Sequence, residues 1–187
     1  MSRKIIRLIF IIALCITVSS WPNAHADPPP SREYVIKAVF LYNFAKFVEW
    51  PAEAFPNRRA PLTLCILGKD PFGLALDSIK GKKVRGRKLV IQHLARIEDL
   101  EQCHILFISA SEEIRLPQIL STIRGMSILT VSDMKRFVQH GGIINLVTIE
   151  TKVRFEINVG VAHLAGLEIS SKLLKLAKIV EDDKKRK

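Results

Sequence analysis

Apolar positions along this chain change their spacing several times, and each spacing predicts a different element. Residues 8–18 form an unbroken apolar or small stretch. From residue 34 to residue 48 apolar side chains cover nearly every face of a helix, capped by Ser31, running to about Glu49 and stopped by Pro51. Such a helix is a core element buried on more than one side, or it turns one face to a partner subunit. Beyond it, residues 62–67, 104–108 and 127–131 are short apolar runs of the buried-strand type. Residues 83–94 alternate as one strand. Residues 143–149 and 152–158 read as a strand pair around Glu150-Thr151. Between these runs the helix signals recur. Asp70-Pro71 opens a short helix to about Ile79, ended by Gly81. Ser109-Ala110-Ser111 leads into a helix over residues 112–123, kinked at Pro117 and stopped by Gly125. Ser132-Asp133 starts another short helix, broken by Gly141-Gly142. A last helix covers residues 161–180, with Gly166 as its weak point.

Strand and helix alternate through the middle of the chain, which predicts an α/β fold: a single domain over residues 32–180, with a mostly parallel (mixed) sheet and helices on both faces. The closing strand pair adds one or two antiparallel edge strands. A chain of this length can bury one proper core.

The first apolar run belongs to a secretory signal peptide, residues 1–26. Arg3, Lys4 and Arg7 supply the positive start, the run is 11 residues long, and Ala24-His25-Ala26 is a cleavage pattern. A bilayer span needs about 20 apolar residues. Cleavage after Ala26 leaves a Pro-rich spacer, residues 27–31, before the domain; residues 181–187 form a charged tail. The mature protein is expected to be exported. Cys15 leaves with the leader, so Cys65 and Cys103 remain. In an oxidising compartment two cysteines read as one disulfide; the alternative is two buried thiols.

The leader takes three basic residues and no acid, so the formal charge falls from +11 to +8. Export removes nucleic acid from the candidate partners of that charge. The basic residues cluster at positions 80–88 and in the tail, where they read as solvated surface, as contact with an anionic membrane surface, or as contact with an acidic partner.

Candidate chemistry is sparse. If the strands are parallel, the turns after three of them line one edge of the sheet, where open α/β sheets bind ligands. Asp70, Ser109, Ser111 and Ser132 would border that crevice, or act as ordinary helix caps. Arg154, Glu156 and Asn158 share one face of an alternating strand and form either a polar contact patch or an internal ion pair and cap. Gly68 to Gly73 has neither a Walker nor a dinucleotide spacing, and no nucleophile elbow occurs. His93, His104, His140 and His163 show no metal-ligand spacing. No cofactor and no metal is expected, and nothing specific argues for an enzyme; an exported hydrolase is a third-ranked alternative.

Several segments together resemble the YfiR family of periplasmic regulatory proteins. They are residues 38–51, Cys65-Ile66-Leu67-Gly68 with Pro71-Phe72-Gly73, residues 103–109, Leu129-Thr130-Val131-Ser132-Asp133 with Gly141-Gly142, Arg154-Phe155-Glu156-Ile157-Asn158, and residues 165–174. The resemblance implies an α/β domain, often a homodimer, that binds the periplasmic sensor domain of an inner-membrane diguanylate cyclase and represses it, lowering cyclic di-GMP and biofilm formation. It places a disulfide on Cys65 and Cys103 and includes Glu156 in the partner or ligand patch. The second cysteine pair of some relatives is absent. Glu168 and Ser170 stand where a relative has a basic residue and a histidine that contact a small anion. A periplasmic small-ligand-binding module serving another sensor or transporter is the alternative. The basic tail adds a weak membrane-surface contact.

Overall fold

The computed structural model describes residues 31–180. The predicted signal peptide, the spacer before Ser31 and the charged tail lie outside the described residues. Helix α1 (Arg32–Phe47) leads into the two-residue strand β1 (Val48–Glu49). There follow β2 (Leu62–Leu67), β3 (Lys83–Val84), β4 (Arg87–Leu94), β5 (Ile105–Ile108), α2 (Leu116–Thr122), β6 (Leu129–Ser132), β7 (Ile144–Ile149), β8 (Lys152–Ile157), α3 (Val159–Leu164), β9 (Glu168–Ile169), α4 (Ser171–Leu174) and β10 (Lys178–Ile179). Eight strands form one sheet in the order β10-β8-β7-β6-β5-β2-β4-β3. The central run from β4 to β7 is parallel; β3 on one side and β8 on the other run against it. The predicted mostly parallel, mixed sheet is therefore present.

Alternation of side chains gives the sheet two buried faces. Leu64, Ile66, Phe107, Val131, Leu146 and Phe155 face α1. Cys65, Leu67, Leu106 and Ile108 pack with Leu116 and Ile119 of α2 and with Ile123 at its end. In α1 the buried positions Lys37, Ala38, Leu41, Phe44 and Ala45 recur at helical spacing, flanked by Phe40 and Phe47. The helix buries a stripe rather than its whole circumference: Val35 and Val39 on the far side are 38% and 46% exposed.

Five predicted elements differ from those observed, each for a physical reason. Residues 83–94 are not one strand. Arg85 and Gly86 both have positive φ, 49° and 83°, which makes a two-residue hairpin turn pairing Val84 with Arg87. No α-helix starts at Pro71: Asp70 accepts a hydrogen bond from the Phe72 amide at 2.7 Å, Gly73 turns left-handed, and a 3-10 helix follows over Gly73–Ser78. The helix predicted for residues 112–123 divides into a 3-10 helix (Ala110–Arg115) and α2, with Pro117 in the first turn of α2, where its missing N–H costs nothing. The single helix over residues 161–180 is replaced by α3, β9, α4 and β10. Gly166, at φ 68°, ends α3 while Leu167 returns its amide to the Ala162 carbonyl, and Glu168–Ile169 then pairs with β1.

Ser132-Asp133 likewise starts no helix, because both side chains are already engaged. Ser132 donates to the Ile108 carbonyl at 2.7 Å. Asp133 accepts from Lys37 at 2.6 Å and from the Tyr34 hydroxyl at 2.9 Å. The Lys37 ammonium is only 3% exposed as a residue and also meets Glu33 at 2.6 Å. Thr148 on β7 donates to Glu33 at 2.8 Å. The hydrogen bond from Lys37, then that from Thr148, holds the Glu33 carboxyl below the usual carboxylate range. Burial, followed by the Asp133 charge, pushes the Tyr34 phenol up. A buried ion pair that loses one partner leaves the other desolvated and unpaired. Lys37→Met should therefore lower stability by about 3 kcal/mol, read as a large drop in the thermal midpoint; a midpoint close to that of the native protein would show the network to be dispensable.

Candidate partner-binding face

The polar alternation of β8 becomes a surface through its neighbours. Antiparallel register sets Asn145 of β7 opposite Glu156 and Val147 opposite Arg154, and β10 places Lys178 beside Glu156. Directly paired residues lie on the same side of the sheet. Arg154, Glu156, Lys178 and Asn145 thus share one polar face beyond the part of the sheet that α2 covers. Lys178 donates to Glu156 at 2.8 Å, with side-chain exposures of 73% and 12% respectively. The carboxylate is sunk in the sheet and its only ion-pair partner among the described residues reaches in from solvent. Beside it the Asn145 side-chain oxygen is buried without a hydrogen-bond partner among the described residues. Arg154 is exposed. Glu156 is therefore a recessed acceptor group under a solvent-exposed cation.

Asn158 does not join that face. It is 1% exposed, its side-chain oxygen accepts from the Val161 amide at 3.0 Å to cap α3, and its own amide donates to the Ile143 carbonyl at 2.9 Å. Lys178 and Asn145 were not singled out by the sequence. Asn145 could have been, as the one polar residue among Ile143, Ile144 and Leu146; Lys178 lay in a segment that reads as helix.

The strand-end crevice exists as an edge, since β2, β5 and β6 are parallel, but its polar groups are turned on one another. Ser109 donates to the Lys69 carbonyl at 2.7 Å, and Ser111 accepts from the Lys69 amide at 3.0 Å. Asp70 uses one oxygen on the Phe72 amide and the other on His93 at 2.9 Å. Ser132 is fully buried and accepts from the Met134 amide at 3.1 Å. A Cβ on Gly68, at φ 85°, would collide with Ser111 and Glu112, so the loops close directly over the strand ends. A cavity of about 360 Å³ lies at the opposite ends of the strands, between the end of α2 and α3, beside Ile123, Ile128, Val161 and Leu164. Among the described residues no cluster of three or more histidine, cysteine, aspartate or glutamate side chains could hold a metal, and no helix is long and apolar enough to cross a membrane.

Cys65 in β2 and Cys103 just before β5 form a disulfide, with Cα atoms 6.0 Å apart and a sequence separation of 38. Closing a loop of that length contributes roughly 4 kcal/mol by the chain-entropy model. The next residue, His104, ties a whole corner of the fold together. Its Nδ1 accepts from the Thr63 amide and its Nε2–H donates to the Ala54 carbonyl, each at 3.1 Å. Its carbonyl accepts from the Trp50 indole at 3.1 Å. Phe55 stacks on the imidazole at 4.3 Å, and Arg87 stacks on the far side of Phe55.

The comparisons with known proteins bear on this geometry. A family model described as YfiR/HmsC-like matches residues 34–178. The chain belongs to the YfiR/HmsC-like family. The match runs from Tyr34 of the buried ion-pair network to Lys178 beside Glu156, so this YfiR/HmsC-like domain includes both edges of the sheet and the disulfide. No curated protein matches the chain.

The His104 arrangement predicts a pH effect. Burial holds the imidazole below its ordinary value, and the proton it would gain on Nδ1 would oppose the Thr63 N–H. The unfolded chain therefore binds this proton first. The stabilisation is complete above the unfolded value near 6.5 and is lost as the pH falls below it toward the lower folded value, at up to about 1.4 kcal/mol per pH unit. Thermal melts between about pH 7 and pH 5 should show this decline, and His104→Gln should flatten it; an unchanged slope in the variant would assign the decline to other groups.

Proposed function

We propose that this chain is an exported, non-catalytic regulator that binds the periplasmic sensor domain of an inner-membrane diguanylate cyclase and holds the cyclase inactive. Its presence keeps cyclic di-GMP and biofilm formation low. The observation that carries this reading is the YfiR/HmsC-like match along residues 34–178. The leader-like start of the chain, with its Ala24-His25-Ala26 pattern, supports a periplasmic location. The reading assigns regulation to differential binding: the regulator stabilises the inactive sensor, and a signal that weakens the complex releases it.

The polar face of β8 is the proposed contact. Arg154 offers an exposed cation, and Glu156 offers a carboxylate whose present partner, Lys178, is largely solvated. Exchanging Lys178 for a donor on the sensor would cost little, because an exposed lysine contributes little to its pair. Val35 and Val39, exposed on α1, are the proposed homodimer contact. The cavity beside Ile128 and Val161 supports a second reading, a small-ligand module, since about 360 Å³ is within the range of ligand pockets.

Titrating the purified protein into the sensor domain of the cyclase tests the first reading. Glu156→Arg should weaken binding roughly 30-fold, the loss of one hot-spot contact, while keeping a cooperative thermal transition. Undiminished binding would remove Glu156 from the contact, and loss of the transition would make it a structural residue.

A further inference from the structure

The edge of the sheet opposite the β8 face carries a concentration of positive charge that the local structure does not favour. β3 and β4 set Lys83 directly opposite Lys88, so two ammonium groups share one side of a short hairpin. Like charges so placed repel. At the turn Arg85 adopts φ 49°, a conformation for which asparagine or glycine is the usual choice. Turn chemistry does not call for a basic residue at position 85, and strand pairing does not favour lysine at both 83 and 88.

Neighbouring elements bring further cations to the same edge. Arg87 donates to the Asn57 carbonyl at 3.0 Å and the Ala60 carbonyl at 2.7 Å, which holds the loop bearing Arg58 and Arg59 against β4. Tyr42 of α1 donates to the Lys83 carbonyl at 3.2 Å, and its ring lies within 5.5 Å of both the Lys46 and the Lys82 ammonium. Arg85 pairs with Glu49 at 2.7 Å. Arg58, Arg59, Lys82, Lys83 and Lys88 are exposed and make no ion pair among the described residues.

We propose that this edge binds a bilayer surface of anionic phospholipid headgroups. The cations come from three separate elements and spread along an edge instead of converging on one point, which suits an extended polyanion rather than a single bound phosphate. The cations at the hairpin that make no ion pair are lysines, Lys82, Lys83 and Lys88, whereas Arg85 and Arg87 are engaged within the domain; lysine acts as a point charge without the fixed fork that arginine brings to a defined carboxylate on a protein partner. The geometry also has a consequence for the β8 face. Six strand spacings separate β8 from β3, so seating β3 on a membrane holds the β8 face roughly 30 Å from it along the sheet. The proposal goes beyond the regulatory reading and stands or falls separately, because vesicle binding needs no cyclase.

The test is co-sedimentation of the exported, purified protein with vesicles of phosphatidylethanolamine and phosphatidylglycerol, against vesicles of phosphatidylcholine. Binding is expected to the first only, and to be released by added salt. With each lysine contributing roughly a fivefold change, the triple variant Lys82→Gln, Lys83→Gln, Lys88→Gln should bind about a hundredfold more weakly. Arg58→Gln with Arg59→Gln, on a different loop, should lower binding in the same direction and guards against misfolding of the hairpin variant. A protein ending at Val180 should keep most of its affinity. Equal binding by the hairpin variant, binding carried entirely by residues 181–187, or capture by soluble acidic polymers with none by vesicles would overturn the proposal.

Discussion

Lys37 carries a charge into the interior between the first helix and the sheet, and Asp133, in the turn after β6, meets it at 2.6 Å. The pairing is expensive unless both groups are fully engaged, because each is taken out of water. Glu33 and the Tyr34 hydroxyl complete the engagement. The consequence is positional. One face of the sheet is covered chiefly by α1, and α1 has apolar residues on both its inner and outer sides. Hydrophobic burial alone would tolerate rotation of such a helix, whereas a buried ammonium has one place where its carboxylates stand. The network therefore sets which stripe of α1 packs on Phe107 and Phe155 and which residues, Val35 and Val39, are left outside.

The opposite corner of the domain is held by different chemistry. The Cys65–Cys103 disulfide joins neighbouring strands, and the neutral His104 beside it connects Thr63, Ala54 and Trp50. With its centre held at two places, the sheet can carry two edges of unlike character. One ends in the β3–β4 hairpin and is basic; the other ends in β8 and β10 and presents a sunken carboxylate. On the proposed reading, such a division would separate where the protein is held from where it acts.

The sheet was legible because its strands are short apolar runs bounded by turns. Residues 62–67 were expected as a strand and are one, and the antiparallel pair around Glu150-Thr151 is present with its ends shifted by a residue. The errors arise where tertiary partners outbid local propensity. Asp133 looks like a helix start, but its carboxylate is taken by a residue 96 positions away. The last helix breaks at Gly166 because Glu168–Ile169 finds an edge to pair with on β1, which no local pattern shows. Arg85 hides a hairpin because few non-glycine residues enter positive φ. In the candidate face, Arg154 and Glu156 were readable from strict alternation. Asn158 alternates equally well but lies past the end of β8, where capping α3 takes its side chain.

On the proposed reading this domain is an exported brake on a membrane enzyme, acting by binding. Cyclic di-GMP measured in the native cell, with the gene deleted and then complemented, tests that claim most directly. The account predicts a rise on deletion, reversed by the complete chain and not by one lacking residues 2–26. An unchanged level on deletion, or full reversal by the chain that lacks its leader, would contradict it.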